Sequence, residues 1–121
     1  AEGRAFFEFL GQKYGYSPAA AEAAALRIIE ILKVFDAQLA RQKQAGREYL
    51  IGTGFSAVDI YWATFCGLLN PLPPELCPMA TSFRGGLYGN DHPGVAEALT
   101  PALLAHRDMV YKRHLELPVV F

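Results

Sequence analysis

The segment from Arg47 to Phe65, REYLIGTGFSAVDIYWATF, constrains the fold more than any other stretch of this chain. It couples a glycine turn to a complete helix start, and then to a helix with almost no polar face. Ser56 stands where an N-cap belongs, and its hydroxyl can accept the backbone N–H of Asp59. Asp59, third in the helix, can reach back to the N–H of Ser56 and close a reciprocal capping box. Phe55 before the cap and Ile60 at the fourth helical position supply a hydrophobic staple. From Ile60 to Leu69 the sequence carries no charge. A helix that is apolar all round must be wrapped by other elements, so this one is expected to run enclosed through the core.

The flanking sequence reads as the helices that do the wrapping. Phe6, Phe9, Leu10 and Tyr14 keep a helical period from Glu2, and Gly15 stops that helix. Ser17 then caps a second helix that Pro18 opens, at a position where the missing N–H costs nothing. This helix is predicted from Pro18 to Ala45, about 42 Å at 1.5 Å per residue, with Gly46 as its stop. Leu26, Ile29, Leu32, Phe35 and Leu39 mark its buried stripe. Such a length exceeds what a compact domain of this size needs, so part of the helix is expected to pack against something outside it.

After the central helix, Pro71, Pro73 and Pro74 force an extended connection. A short helix is expected from Pro78, interrupted at Gly85-Gly86, and another after Asp91 as cap. Thr100-Pro101 repeats the Ser17-Pro18 start and opens a last helix through Leu115. Its stripe is Leu103, Leu104, Val110 and Tyr111, with Arg107 and His114 at the margins, and an apolar tail of Val119, Val120 and Phe121 follows. No strand pair can be read. The expectation is one all-α domain over residues 1–121, a helical bundle around a buried central helix.

Composition narrows the function classes. A formal net charge of −1 removes the basic footprint of a nucleic-acid binder. No run approaches the ~18 apolar residues of a membrane-spanning helix, and no signal peptide is visible. Two cysteines, Cys66 and Cys77, fall short of a disulfide framework and fit a reduced, cytoplasmic setting. The chain opens on Ala1 in what reads as helix, without an initiator Met, which fits either a fragment or a trimmed sequence.

Several local patterns dissolve on inspection. Gly52-x-Gly54-x-x-Ala57 mimics a dinucleotide loop, but it lacks the preceding strand and places Asp59 where a pyrophosphate would bind. His106-Arg107-Asp108 mimics the kinase catalytic loop, yet Arg113 stands where its asparagine belongs. Asp108 is instead expected to pair with Lys112 one helical turn on, with His106 or Arg107 serving a neighbouring loop. His92, His106 and His114 keep no metal-ligand spacing, so no metal site is expected. Cys66 reads as core filler and Cys77 as a packed or solvent-edge residue. No catalytic residue and no cofactor can be assigned to the chain.

Tyr49, Leu50, Gly52, Ser56, Asp59 and Ile60, with the apolar helix behind them, resemble the C-terminal helical domain of the glutathione S-transferase superfamily. There the same serine–aspartate box opens a buried helix. The resemblance implies that glutathione, as substrate, is bound and activated by a thioredoxin-like N-terminal domain whose βαβ pattern this sequence lacks. It implies that the helical half shapes the pocket for a hydrophobic co-substrate and, through its first two helices, a homodimer interface. Tyr14, near the end of the first helix, is the position the resemblance suggests for that pocket. The same helical fold also serves as a non-catalytic assembly module, which remains the alternative.

Overall fold

The computed structural model describes residues 2–120; Ala1 and Phe121, read above as helix and apolar tail, lie outside the described residues. Among the described residues all regular structure is helical. The order is α1 (Glu2–Lys13), α2 (Pro18–Gln44), α3 (Ala57–Cys66), α4 (Thr81–Gly86), α5 (Pro93–Ala98) and α6 (Pro101–His114). None of these helices is long and apolar enough to cross a membrane.

Local chemistry sets most of the boundaries. Ser17 Oγ accepts the Ala20 N–H at 3.1 Å, and Pro18 occupies the first turn of α2. Gly46, at φ +71°, takes the left-handed conformation just past the C-cap of α2, which a side chain would resist. Thr100 Oγ1 accepts the Leu103 N–H at 3.3 Å and donates to Asp36 Oδ1 at 2.5 Å. One cap residue thereby starts α6 and ties it to α2.

The core is a single cluster of Leu32 and Leu39 from α2, Leu50, Trp62, Cys66, Val95, Leu99 and Leu103. α3 lies against α6, and α2 packs on α5 and α6. Trp62 on α3 donates its indole N–H to the Leu103 carbonyl of α6 at 3.2 Å and meets Phe35 of α2 edge-on. α5 comes so close to α2 that a Cβ on Gly94 would sit 2.9 Å from Ile29 Cδ1. Only glycine fits there without displacing a neighbour.

The central helix departs from expectation in one decisive way. Asp59, Trp62, Ala63 and Cys66 are buried, but Tyr61 is 63% and Phe65 65% exposed. Full enclosure needs neighbours on every side, and here α6 covers one flank while α2 touches the other through Phe35 against Trp62. Leu26 is exposed although it extends the α2 stripe. Arg107, placed at the margin of α6, is buried instead. Its guanidinium donates to the backbone and side-chain oxygens of Asn70 at 2.6 and 3.0 Å, closing the end of α3 onto α6. Asp108 pairs with Arg107 at 2.8 Å and not with Lys112.

Smaller boundaries shift for local reasons. α4 starts at Thr81, not Pro78, because the chain first turns at Pro73, whose carbonyl accepts the N–H groups of Leu76 and Cys77. Arg84 then holds this connection by donating to the Leu72 and Cys77 carbonyls at 2.9 and 2.6 Å. α5 is introduced by Asn90, whose side chain bonds both the N–H and the C=O of His92, so Asp91 is not its cap.

Candidate functional site

Two features of α3 stand out, a buried polar lock at its start and an open apolar trough along its exposed side. The lock begins on α2. Gln42, buried, donates to the carbonyls of Tyr49 and Gly52 at 2.8 Å each, and Gln38 donates to the Leu50 carbonyl at 2.7 Å. These bonds shape the 47–55 loop so that the Leu50 N–H points at Asp59. Asp59 Oδ1 accepts that N–H at 3.0 Å and lies 2.8 Å from His106 Nε2 on α6. Asp59 Oδ2 accepts both the N–H and the hydroxyl of Ser56, at 2.9 and 2.8 Å.

The reciprocal capping box is present, with unequal arms. The serine hydroxyl spends its proton on the carboxylate, while the Asp59 N–H finds the Ser56 carbonyl at 3.1 Å. An ionised carboxylate can only accept, so Nε2 of His106 carries the proton in that contact. Burial by itself pushes the Asp59 carboxyl up. The bonds from Leu50, His106 and Ser56 together outweigh it and hold the group below the ordinary aspartate range. Phe55 stacks on His114 at 3.8 Å and Tyr49 shares a 2.9 Å hydrogen bond with the same ring, latching the loop to the end of α6.

Serine, histidine and aspartate together invite comparison with a hydrolytic triad, and the geometry rejects it. In a triad the serine bonds the imidazole; here Ser56 and His106 both bond the carboxylate, on opposite oxygens. The His106 and Asp59 side chains are only 3% and 0% exposed, so no substrate reaches them. This cluster holds α3, the loop and α6 in register. Replacing Ser56 by Ala is expected to cost about 0.5–2 kcal/mol, because the carboxylate loses one donor and the helix its cap. A urea titration checks it, and a midpoint equal to wild type would contradict the assignment.

The trough runs between α2 and α3, with a volume of about 570 Å³. Ile28, Ile31 and Phe35 form one wall, Tyr61 and Phe65 the other, and Ile51 of the loop one margin, with no charged residue in its lining. Cys66 also lines it, but burial raises that thiol despite the nearby Arg107, so it is no ready nucleophile. Cys77 is buried in the connection to α4. Among the described residues no cluster of His, Cys, Asp or Glu could hold a metal ion.

Tyr14 is not in this trough. It lies in the turn after α1, 73% exposed, with Lys13 Nζ 5.3 Å from its ring centre. Leu32 and Phe35 of the predicted α2 stripe line the trough, but Ile28 and Ile31 beside them escaped the sequence reading. Their signal was there, since Ile28 and Ile31 widen the apolar stripe of Ile29, Leu32, Phe35 and Leu39 beyond one buried face.

Residues 18–108 match the family of the glutathione S-transferase C-terminal domain. The chain belongs to that family. Searches of curated proteins and of solved structures each found no match. As a glutathione S-transferase C-terminal domain, the chain has its match running from the start of α2 into α6, so both the polar lock and the trough fall within it.

Proposed function

We propose that this domain is the helical half of a glutathione S-transferase-like protein and that its α2–α3 trough forms the wall for a hydrophobic co-substrate. The observation that carries the reading is the charge-free trough, which can hold an uncharged apolar molecule but cannot recognise the γ-glutamyl or glycyl carboxylates of glutathione. Glutathione binding and thiol activation then belong to a thioredoxin-like N-terminal domain. The apolar residues Phe6, Phe7, Phe9 and Leu10 of α1 suit a homodimer interface. Free, buried Cys66 and Cys77 are compatible with a reducing, cytoplasmic compartment.

The test is thiol conjugation to an uncharged aromatic electrophile. The chain alone should give no turnover above the uncatalysed rate; joined to its thioredoxin-like half it should turn over. Replacing Phe65 by Asp should then raise KM for the electrophile about tenfold or more while leaving the KM for glutathione unchanged, because a charge in an apolar wall penalises only the apolar ligand. Turnover by the isolated chain would refute the division of labour. The second reading, a non-catalytic assembly module, is favoured by the commitment of Asp59 and His106 to structure. Failure of the joined protein to bind immobilised glutathione would select it.

A further inference from the structure

Five of the chain's eleven Lys and Arg residues gather at one end of the bundle. α6 starts beside the middle of α2, where Thr100 bonds Asp36, and finishes at the loop beyond α2, where His114 meets Tyr49 and Phe55. The two helices therefore run the same way, and their carbonyl ends converge. Arg41 and Lys43 lie in the last turn of α2, Lys112 and Arg113 in the last turn of α6, and Arg47 in the loop latched between them. All five are exposed.

Cations at helix C-termini are ordinary, because they answer the negative end of the helix dipole. The amounts do not match here. Within residues 41–50 and 111–116 only Glu48 and Glu116 accompany the five cations, a formal +3. Two helix ends of about −0.5 each leave about +2 of it uncompensated. The rest of the chain carries −4, since the whole molecule carries −1.

The partners of the guanidiniums sharpen the point. Arg4, Arg27 and Arg107 meet the carboxylates of Glu8, Glu30 and Asp108, and at this end Arg113 meets Glu48 at 3.1 Å. Arg41 and Arg47 do not. Arg41 donates to the side-chain oxygen of Gln38 at 3.0 Å, and Arg47 to that of Gln42 at 3.4 Å. Each glutamine directs its amide N–H at loop carbonyls, which fixes its oxygen towards the guanidinium. A neutral partner orients an arginine without cancelling its charge and leaves most of its five N–H donors open. Gln38 and Gln42 stand one turn apart on one face of α2, so the two guanidiniums are neighbours.

We propose that this end is a docking surface for an acidic segment of a partner protein, two of whose carboxylates are taken by Arg41 and Arg47, with Lys43 and Lys112 supplying the surrounding charge. None of these residues lines the trough, so the inference is independent of the co-substrate reading. A short acidic segment suits the surface better than a nucleic acid. A DNA duplex carries one charge per about 1.7 Å and would run past the patch onto the negative body, whereas a short segment ends where the patch does.

Fluorescence anisotropy of a labelled peptide of about ten residues, alternating Glu and Gly, tests it on the full chain. The titration is run in about 0.1 M salt, where the Debye length of about 10 Å screens distant charge. Arg41→Gln and Arg47→Gln should each weaken binding about tenfold, the size of a charge-assisted hydrogen bond lost. Lys43→Gln and Lys112→Gln should each weaken it about threefold. Arg27→Gln, about 21 Å back along α2 from Arg41, should change nothing. These side chains are exposed and outside the core cluster, so circular dichroism should show every variant folded. The same peptide with Gln for Glu should not bind. Absence of saturable binding by the Glu peptide, equal weakening by Arg27→Gln, or tighter binding of a short DNA duplex or of phosphatidylserine vesicles would overturn the proposal.

Discussion

Replacing Asp59 by Ala is expected to cost about 3–5 kcal/mol, a large share of the ~5–15 kcal/mol that holds a domain of this size together. The side chain is fully buried and accepts from four donors on three elements: the Leu50 N–H in the loop, the Ser56 N–H and hydroxyl at the cap, and His106 on α6. Alanine leaves all four without their acceptor and opens a void among them. Denaturant unfolding of the variant measures the loss directly. Water entering that void would rescue part of it, but a cost below ~1 kcal/mol would mean the carboxylate is not the hub of the lock.

The same residue sets an acid limb. Its folded carboxyl lies below the ordinary range, so the unfolded chain takes up the proton first. The stabilisation is therefore complete above the unfolded pKa of about 3.9, and is lost as pH falls through the lower folded value. Asp59→Asn removes this linkage. Stability plotted against pH below about 4 should fall less steeply in that variant than in wild type, by up to one proton's worth of slope. Parallel curves would show that another group controls the acid transition.

The second large effect separates the two sides of α3. Trp62→Ala should cost about 3–5 kcal/mol, since it empties an aromatic site between α2 and α6 and removes the hydrogen bond to the Leu103 carbonyl. Phe65→Ala, three residues on, should cost well under that, about 1 kcal/mol or less, because two-thirds of its surface already meets solvent. Similar losses at both positions would contradict an open trough and restore the enclosed helix that the uncharged run Ile60–Leu69 led us to expect.

That contrast shows what the chain discloses by itself and where it stops. Caps are local, so Ser17, Ser56 and Thr100 could be read directly, and with them three helix starts. Residue type also revealed that α3 is central, because ten uncharged positions in a row have few other uses. Apolarity does not say what covers a face, however. The exposed Tyr61 and Phe65 look the same in sequence as the buried Trp62. Long-range polar pairing was equally hidden. His106 meets Asp59 across 47 positions and Arg107 meets Asn70 across 37, and neither spacing carries a periodic signal. Gln42 could not be distinguished from a solvated glutamine on the last turn of α2, although it organises the loop that feeds Asp59.

The trough as a seat for an apolar molecule is the point on which the functional reading turns, and the protein carries its own reporter there. Trp62 is its single tryptophan and lines the trough. Titration with an uncharged naphthalene derivative, followed by tryptophan fluorescence, should give a saturable change that Phe65→Asp weakens about tenfold or more and that the sulfonated analogue of the ligand does not produce. A linear, unsaturable response, or equal binding by the Phe65→Asp variant, would show that the trough holds no ligand.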